Sequence, residues 1–337
     1  MPGREAHKHR PTGGFHATTG HPGVMDPVPA AARRAPLGVL PAVATVVVVL
    51  LVAACGVAQR GPDPCAPAVA GATTRTVPTP GTRLNVTLAG PEDGPVVVLL
   101  HGFPGTATTW RAVATDLAVD HRVVVPDLRG AGCSGFAPPG TDAYTARDLA
   151  GDLAALAGVL HLPPAIVVGH DLGAMTAVAW ARTRPEQVAR LVLSGGGVPG
   201  FGLAERGPPH LRAFGAAPPG AIEAAQRPRL RAFLADFTRT PAFPLDEAVA
   251  AYAPPGRLDA AMGRYRALPR DAAANRADPR PLAMPVLVVS GGAPDLAAAT
   301  VTPLAPRRRV VVIPGAGHDV QLERPAAFAA AVREDAG

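Results

Sequence analysis

The sequence predicts an α/β fold: a mostly parallel central sheet with a mostly helical segment inserted after its sixth strand. Three observations predict it. From Arg83 onward, strand-like and helix-like stretches alternate along the chain. Pro95–Leu100 is apolar at every position, the pattern of a strand covered on both faces rather than on one. Val167-Val168-Gly169-His170-Asp171-Leu172-Gly173-Ala174 drives an apolar strand into a Gly-x-Asp-x-Gly turn and out into an apolar helix.

Taken in order, Leu84–Leu88 reads as a half-buried strand, and the buried strand 95–100 ends in His101-Gly102-Phe103-Pro104-Gly105. Thr108–Ala118 has helical periodicity, with Trp110 on its apolar side. A short strand, Arg122–Pro126, leads to Asp127-Leu128-Arg129-Gly130, where Asp127 and Arg129 read as a local ion pair fixing the loop. Tyr144–Leu160 is helical, its leucines 149, 153, 156 and 160 spaced by three and four. The strand at 165–168 enters the Asp171 turn, the helix Leu172–Ala181 follows, and Val188–Leu193 is the next strand. Regularity then breaks from Gly195 to about Pro281, a stretch with many prolines and arginines and three or four short helical patterns. Strand character resumes at Pro285–Ser290 and at Arg309–Ile313, which leads to Gly315-Ala316-Gly317-His318; a last helix follows Pro325. An insertion before those last strands can roof their carboxyl ends, where open α/β sheets bind ligands.

The 337 residues, 48% of them hydrophobic, suffice for one large core with an inserted subdomain. The boundaries follow as a leader over 1–54, a linker over 55–80, a core in two parts over 81–195 and 283–337, and a helical cap over 196–282. The leader accounts for half of the formal charge of +6: five basic and two acidic residues precede Pro36. The rest carries no concentrated basic patch, so a nucleic-acid partner is not expected. Arg33-Arg34, the 18-residue apolar run Leu37–Ala54 and Val52-Ala53-Ala54-Cys55 form a secretory signal ending like a bacterial lipobox, with Cys55 as the lipidated residue. An uncleaved membrane anchor is the competing reading. Either one tethers the chain to the outer face of the cytoplasmic membrane. Export also permits a disulfide between the two remaining cysteines, Cys65 and Cys133.

Three chemical groups fall at strand ends in chain order. Asp171 sits at the tip of the sharp turn, where the flanking glycines leave room for the strand to fold back on its helix. Asp295 lies five residues beyond the strand ending at Ser290, and His318 just after the last strand. Nucleophile, acid and histidine in that order form a hydrolytic triad. An aspartate in the nucleophile position can displace a leaving group from an sp³ carbon and leave an alkyl ester on the enzyme. No Cys/His spacing suits a metal and no phosphate-binding glycine loop follows the first strand, so no cofactor is expected.

With His101-Gly102-Phe103-Pro104, Gly169-His170-Asp171-Leu172-Gly173, Tyr265-Arg266-Ala267 and Gly317-His318 in place, residues 80–335 resemble α/β hydrolases of the epoxide hydrolase group, the aspartate-nucleophile branch. The resemblance implies the α/β-hydrolase fold, an oxyanion hole from the backbone N–H groups of Phe103 and Leu172, and a cis bond before Pro104. It implies ring-opening tyrosines on the cap, here Tyr265 and Tyr252. The partners would be a small apolar substrate, an epoxide or a haloalkane, and water. Haloalkane dehalogenases commonly place Trp after the nucleophile; here Leu172 stands there, and Trp110 and Trp180 lie outside the cap. Haloalkane dehalogenation is therefore the second reading, and a non-catalytic envelope-associated binding module the third.

Overall fold

A computed structural model of the chain describes residues 63–238, 240–292 and 295–334. Eight strands form one sheet: β1 (Thr73–Pro78), β2 (Arg83–Ala89), β3 (Val96–Leu100), β4 (Arg122–Pro126), β5 (Ala165–His170), β6 (Val188–Ser194), β7 (Val286–Ser290) and β8 (Arg309–Val312). Their spatial order is β1-β2-β4-β3-β5-β6-β7-β8. The β1/β2 and β2/β4 pairs are antiparallel, and all others are parallel.

The helices framing the first half of the sheet are α1 (Arg111–Leu117), α2 (Ala146–Val159) and α3 (Leu172–Thr183). Between β6 and β7 come α4 (Leu203–Arg206), α5 (His210–Ala216), α6 (Ala221–Gln226), α7 (Leu230–Ala235), α8 (Leu245–Tyr252) and α9 (Arg257–Ala277). The chain closes through α10 (Leu296–Val301), α11 (Val320–Glu323) and α12 (Pro325–Arg333).

The all-apolar sequence of β3 has a direct structural cause. Val96, Val98 and Leu100 pack into the core shared with Leu149, Leu153 and Val178 of α2 and α3. Val97 and Leu99 point the other way, into the core of Trp110, Leu117 and Phe328. Successive strand residues alternate between faces, so a strand covered on both sides needs no polar positions. The α2 start is fixed by a capping box: Asp148 N–H donates to Thr145 Oγ1 at 3.1 Å, and Thr145 N–H to Asp148 Oδ2 at 2.9 Å.

Four sequence expectations need correction. The stretch 55–80 is not a tether throughout. Within it β1 pairs along its whole length with β2, Ala68 and Val69 are buried in the second core, and Cys65 is disulfide-bonded to Cys133, 68 residues away. β1 is an edge strand with only Val77 buried, so its Thr-rich sequence has no apolar alternation to betray it. The cap region holds six helices among the described residues, one of them α9, 21 residues long with Pro269 inside. The buried positions of α9 crowd into its first half, which hides its period. The helix after β3 begins with a 3₁₀ turn, Ala107–Trp110, before α1 proper. Finally, Arg129 pairs with Asp152 at 2.7 Å rather than with Asp127, which instead accepts N–H donors from Ala107, Cys133 and the Asn85 amide.

Among the described residues, no helix is long and apolar enough to cross a membrane. The leader, the run Leu37–Ala54 and Cys55 lie outside the described residues.

Candidate active site

Asp171 stands at the junction of β5 and α3 with φ of 53° and ψ of −123°, a strained backbone for any residue with a Cβ. Two glycines make the turn possible. A Cβ on Gly173 would sit 2.3 Å from the Leu100 carbonyl oxygen, and one on Gly169 would sit 2.6 Å from Ala174 Cα. The turn is pinned by Asp171 N–H donating to the Ser194 carbonyl at 3.0 Å.

The carboxylate it presents is held on two sides. Phe103 N–H donates to Asp171 Oδ1 at 3.0 Å, and His318 Nε2 lies 3.8 Å from Oδ2. Phe103 is aimed by its neighbours: the Phe103–Pro104 peptide is cis. His101 before it donates from Nδ1 to the Gly102 carbonyl at 2.9 Å and accepts Leu128 N–H at Nε2 at 3.0 Å. Burial pulls the His101 imidazole down to about 3, so it is the neutral ring that ties the ends of β3 and β4 together. Leu172 N–H, at the first position of α3, has no acceptor within its own helix and faces the same end of the sheet.

His318 is positioned through its backbone. His170 Nε2 donates to the His318 carbonyl at 3.0 Å, and the two rings lie 4.8 Å apart. Burial, then the charge of His318, holds the His170 imidazole below its usual value, which suits a neutral donor. The triad acid is less simply assigned. Asp295 lines the same cavity as His318, but its Oδ1 accepts Ala298 N–H at 2.6 Å and caps α10. Among the described residues it makes no hydrogen bond to His318. Asp319 is the other carboxylate nearby: it is buried, its Oδ1 lies 3.8 Å from His170 Nε2, and its Oδ2 has no partner among the described residues.

A cavity of about 550 Å³ lies over these groups, and Phe103, Asp171, Asp295, His318 and Tyr265 all border it. Its remaining walls are largely apolar, with Met175, Leu211, Phe237 and Val320 among them. Tyr265 is 2% exposed and reaches the cavity from α9, its ring packed edge-on against Phe103 at 5.9 Å. Burial, reinforced by the Asp171 charge, pushes its phenol well above the usual range. Tyr252 differs from expectation: it packs against Phe103 at 5.6 Å but does not border the cavity. His210 of α5 does border the cavity, and its ring lies 6.0 Å from that of Tyr265. Sequence reasoning missed His210, and no motif around it marked it. Trp110 and Trp180 are fully buried in the two cores and do not border the cavity.

Comparison with known proteins agrees with this fold. The model of the alpha/beta hydrolase family matches residues 97–331. Epoxide hydrolase 2 of Siraitia grosvenorii is 40% identical over 118 residues, 35% of this chain and 36% of that protein. The chain thus aligns with only about a third of the length of that curated relative. Among solved structures, Cfl2 of Burkholderia cenocepacia is 32% identical with a TM-score of 0.69, over 77% of this chain and 94% of that one. The epoxide hydrolase CorEH is 26% identical with a TM-score of 0.69, over 77% and 96%.

Proposed function

The chain belongs to the alpha/beta hydrolase family, and on that footing we propose that it opens an epoxide to a diol through an alkyl ester on Asp171. The observation that carries this reading is the resting carboxylate itself, with Oδ1 on the Phe103 N–H and Oδ2 facing His318. In the first step Oδ2 attacks an epoxide carbon, the carbon–oxygen bond breaks, and the departing oxygen takes a proton from Tyr265, assisted by His210. In the second, His318 removes a proton from water, and the hydroxide adds to the ester carbonyl carbon. The oxyanion so formed is the former Oδ1, already seated on Phe103 N–H and within the reach of the α3 N-terminus through Leu172 N–H. Collapse breaks the ester carbon–oxygen bond, the departing alkoxide takes the proton held by His318 and leaves as the diol, and the proton of the new Asp171 carboxyl returns to Tyr265, which restores the resting site. The acid steadying the His318 imidazolium is assigned to Asp295, with Asp319 as its competitor.

Epoxide relatives support the substrate class: both epoxide hydrolase 2 of S. grosvenorii and CorEH carry that activity in their names. A phenol and an imidazole bordering the cavity suit an alkoxide leaving group, which needs a proton. For a halide, the buried positions of Trp110 and Trp180 leave no indole N–H at the cavity. We further propose that the chain is exported and tethered through Cys55; the Cys65–Cys133 disulfide supports an oxidising compartment. A panel of aliphatic and aryl epoxides, haloalkanes and esters tests the function. Diol formation from an epoxide is expected; turnover of haloalkanes or esters alone would overturn it. Fatty-acid labelling lost in Cys55→Ala is the expected result for the tether, and equal labelling of both forms would end it.

A further inference from the structure

Arg264 is the most conspicuous charge that the scheme above leaves unused. It is 8% exposed, on α9 directly before Tyr265. Among the described residues its guanidinium makes no hydrogen bond or ion pair. The two arginines buried as deeply are richly bonded: Arg129 to Asp152 and to the carbonyls of Ala143 and Asp148, and Arg190 to the Val332 and Glu334 carbonyls. An unpaired buried cation is destabilising, so a fold gains nothing by keeping one.

Its position suggests what keeps it. Arg264 borders a second, small cavity of about 10 Å³, whose walls include Leu172, Met175 and Asp271, the last with its carboxyl on Ala146 N–H and not on Arg264. Leu172 follows the nucleophile directly, and Met175 also borders the substrate cavity. Arg264 and the residue after the nucleophile thus border the same void.

Resting on the alkyl-ester reading, we propose that Arg264 is a positioning charge for the second half-reaction, stabilising the oxyanion that forms on the Asp171 ester carbonyl. The charge balance on Asp171 gives the reason. The resting carboxylate is anionic, the alkyl ester is neutral, and the tetrahedral species is anionic again. A fixed cation behind the turn favours both anionic states over the neutral ester. It therefore speeds hydrolysis of the ester and, by the same interaction, slightly resists its formation. A charge already fixed in place acts on the developing oxyanion without reorganising.

The test uses Arg264→Met and Arg264→Gln, which keep the volume and delete the charge, beside Arg264→Lys, which restores it. With styrene oxide as probe, intact-mass measurement follows the alkylated fraction, and single-turnover kinetics separate the two steps. Hydrolysis should slow on the order of tenfold in the neutral variants, less than the loss of a direct oxyanion donor. Ester formation should be no slower than in the wild type, so alkyl-enzyme accumulates at steady state. Arg264→Lys should recover most of the hydrolysis rate, and the neutral variants should melt no lower than the wild type. Equal slowing of both steps, or an unchanged alkylated fraction, would overturn the role while leaving the ester mechanism standing. No adduct on Asp171 in the wild type would overturn the mechanism and this inference together.

Discussion

The two oxygens of Asp171 are not equivalent: Oδ1 holds the Phe103 N–H at 3.0 Å, and Oδ2 faces His318 Nε2 at 3.8 Å. That division assigns Oδ2 to attack and Oδ1 to the ester carbonyl. His318→Gln deletes the base for water but leaves the attacking oxygen in place. Soaked with an epoxide, this variant should accumulate an adduct on the peptide carrying Asp171, seen by mass spectrometry. In the wild type, one turnover in ¹⁸O water should leave label in Asp171 and none in the first diol. Label appearing directly in that diol would mean that water attacks the epoxide itself.

Tyr265 and His210 share the cavity wall, while Tyr252 does not reach it. Tyr265→Phe keeps the ring packing on Phe103 and removes only the donor, so alkylation by an epoxide should slow about 10²–10⁴-fold. His210→Phe should slow the same step by a smaller factor, and Tyr252→Phe should change it little. Single-turnover alkylation rates check all three. A large loss in Tyr252→Phe beside a normal His210→Phe would return the second donor to Tyr252.

Much of this site was legible in the sequence because backbone geometry dictated it. A turn as sharp as that at Asp171 admits few residues at its flanks, so Gly169 and Gly173 announce it. The residues that stayed hidden are those placed by packing between distant segments. His210 meets Tyr265 only because α5 and α9 lie side by side, and nothing in either helix encodes the other. The competition between Asp295 and Asp319 is of the same kind: chain order singles out Asp295, while burial also brings Asp319 to His170. β1 was silent because an exposed edge strand leaves no periodic trace; the Cys65–Cys133 bond was open to the sequence only as what an exported chain permits, since nothing across a 68-residue separation shows that the two meet.

The triad acid is separable by step. An acid that steadies the His318 imidazolium matters when His318 takes a proton, which happens only in ester hydrolysis. Asp295→Ala should therefore slow hydrolysis more than alkylation. Asp319→Asn should leave that ratio nearer the wild type, since its carboxylate faces His170. The opposite pattern in single-turnover kinetics would transfer the role to Asp319.

The disulfide closes a long loop, joining the segment before β1 to the Asp127–Ser134 loop, where Cys133 N–H donates to Asp127. Replacing both cysteines by serine should lower stability by about 2–4 kcal/mol. Chemical denaturation of the described domain under oxidising conditions checks this. No change in midpoint would mean that the bond does not constrain the unfolded chain.

Asp271 sets a pH dependence whose sign can be worked out in advance. Its carboxyl, 8% exposed on α9, accepts Ala146 N–H at the start of α2, with Oδ1 at 3.0 Å and Oδ2 at 3.2 Å. Burial raises it to about 7, the Ala146 hydrogen bond opposing the shift. The unfolded chain releases this proton near 3.8, so between roughly 4 and 7 the folded state holds a proton that the unfolded state has lost. Stability from this group is fully present below the lower value and is lost as pH rises through the upper one. Asp271→Asn keeps an oxygen for Ala146 N–H and removes the titration. The variant should gain on the wild type as pH climbs from 4 to 7, and the difference should level off above that. A gain on the order of 1 kcal/mol corresponds to about 2–4 °C in Tm for a domain this size. Thermal melts of both proteins from pH 4 to 9 measure it. Parallel melting curves across the range would mean that Asp271 titrates alike in the folded and unfolded chains.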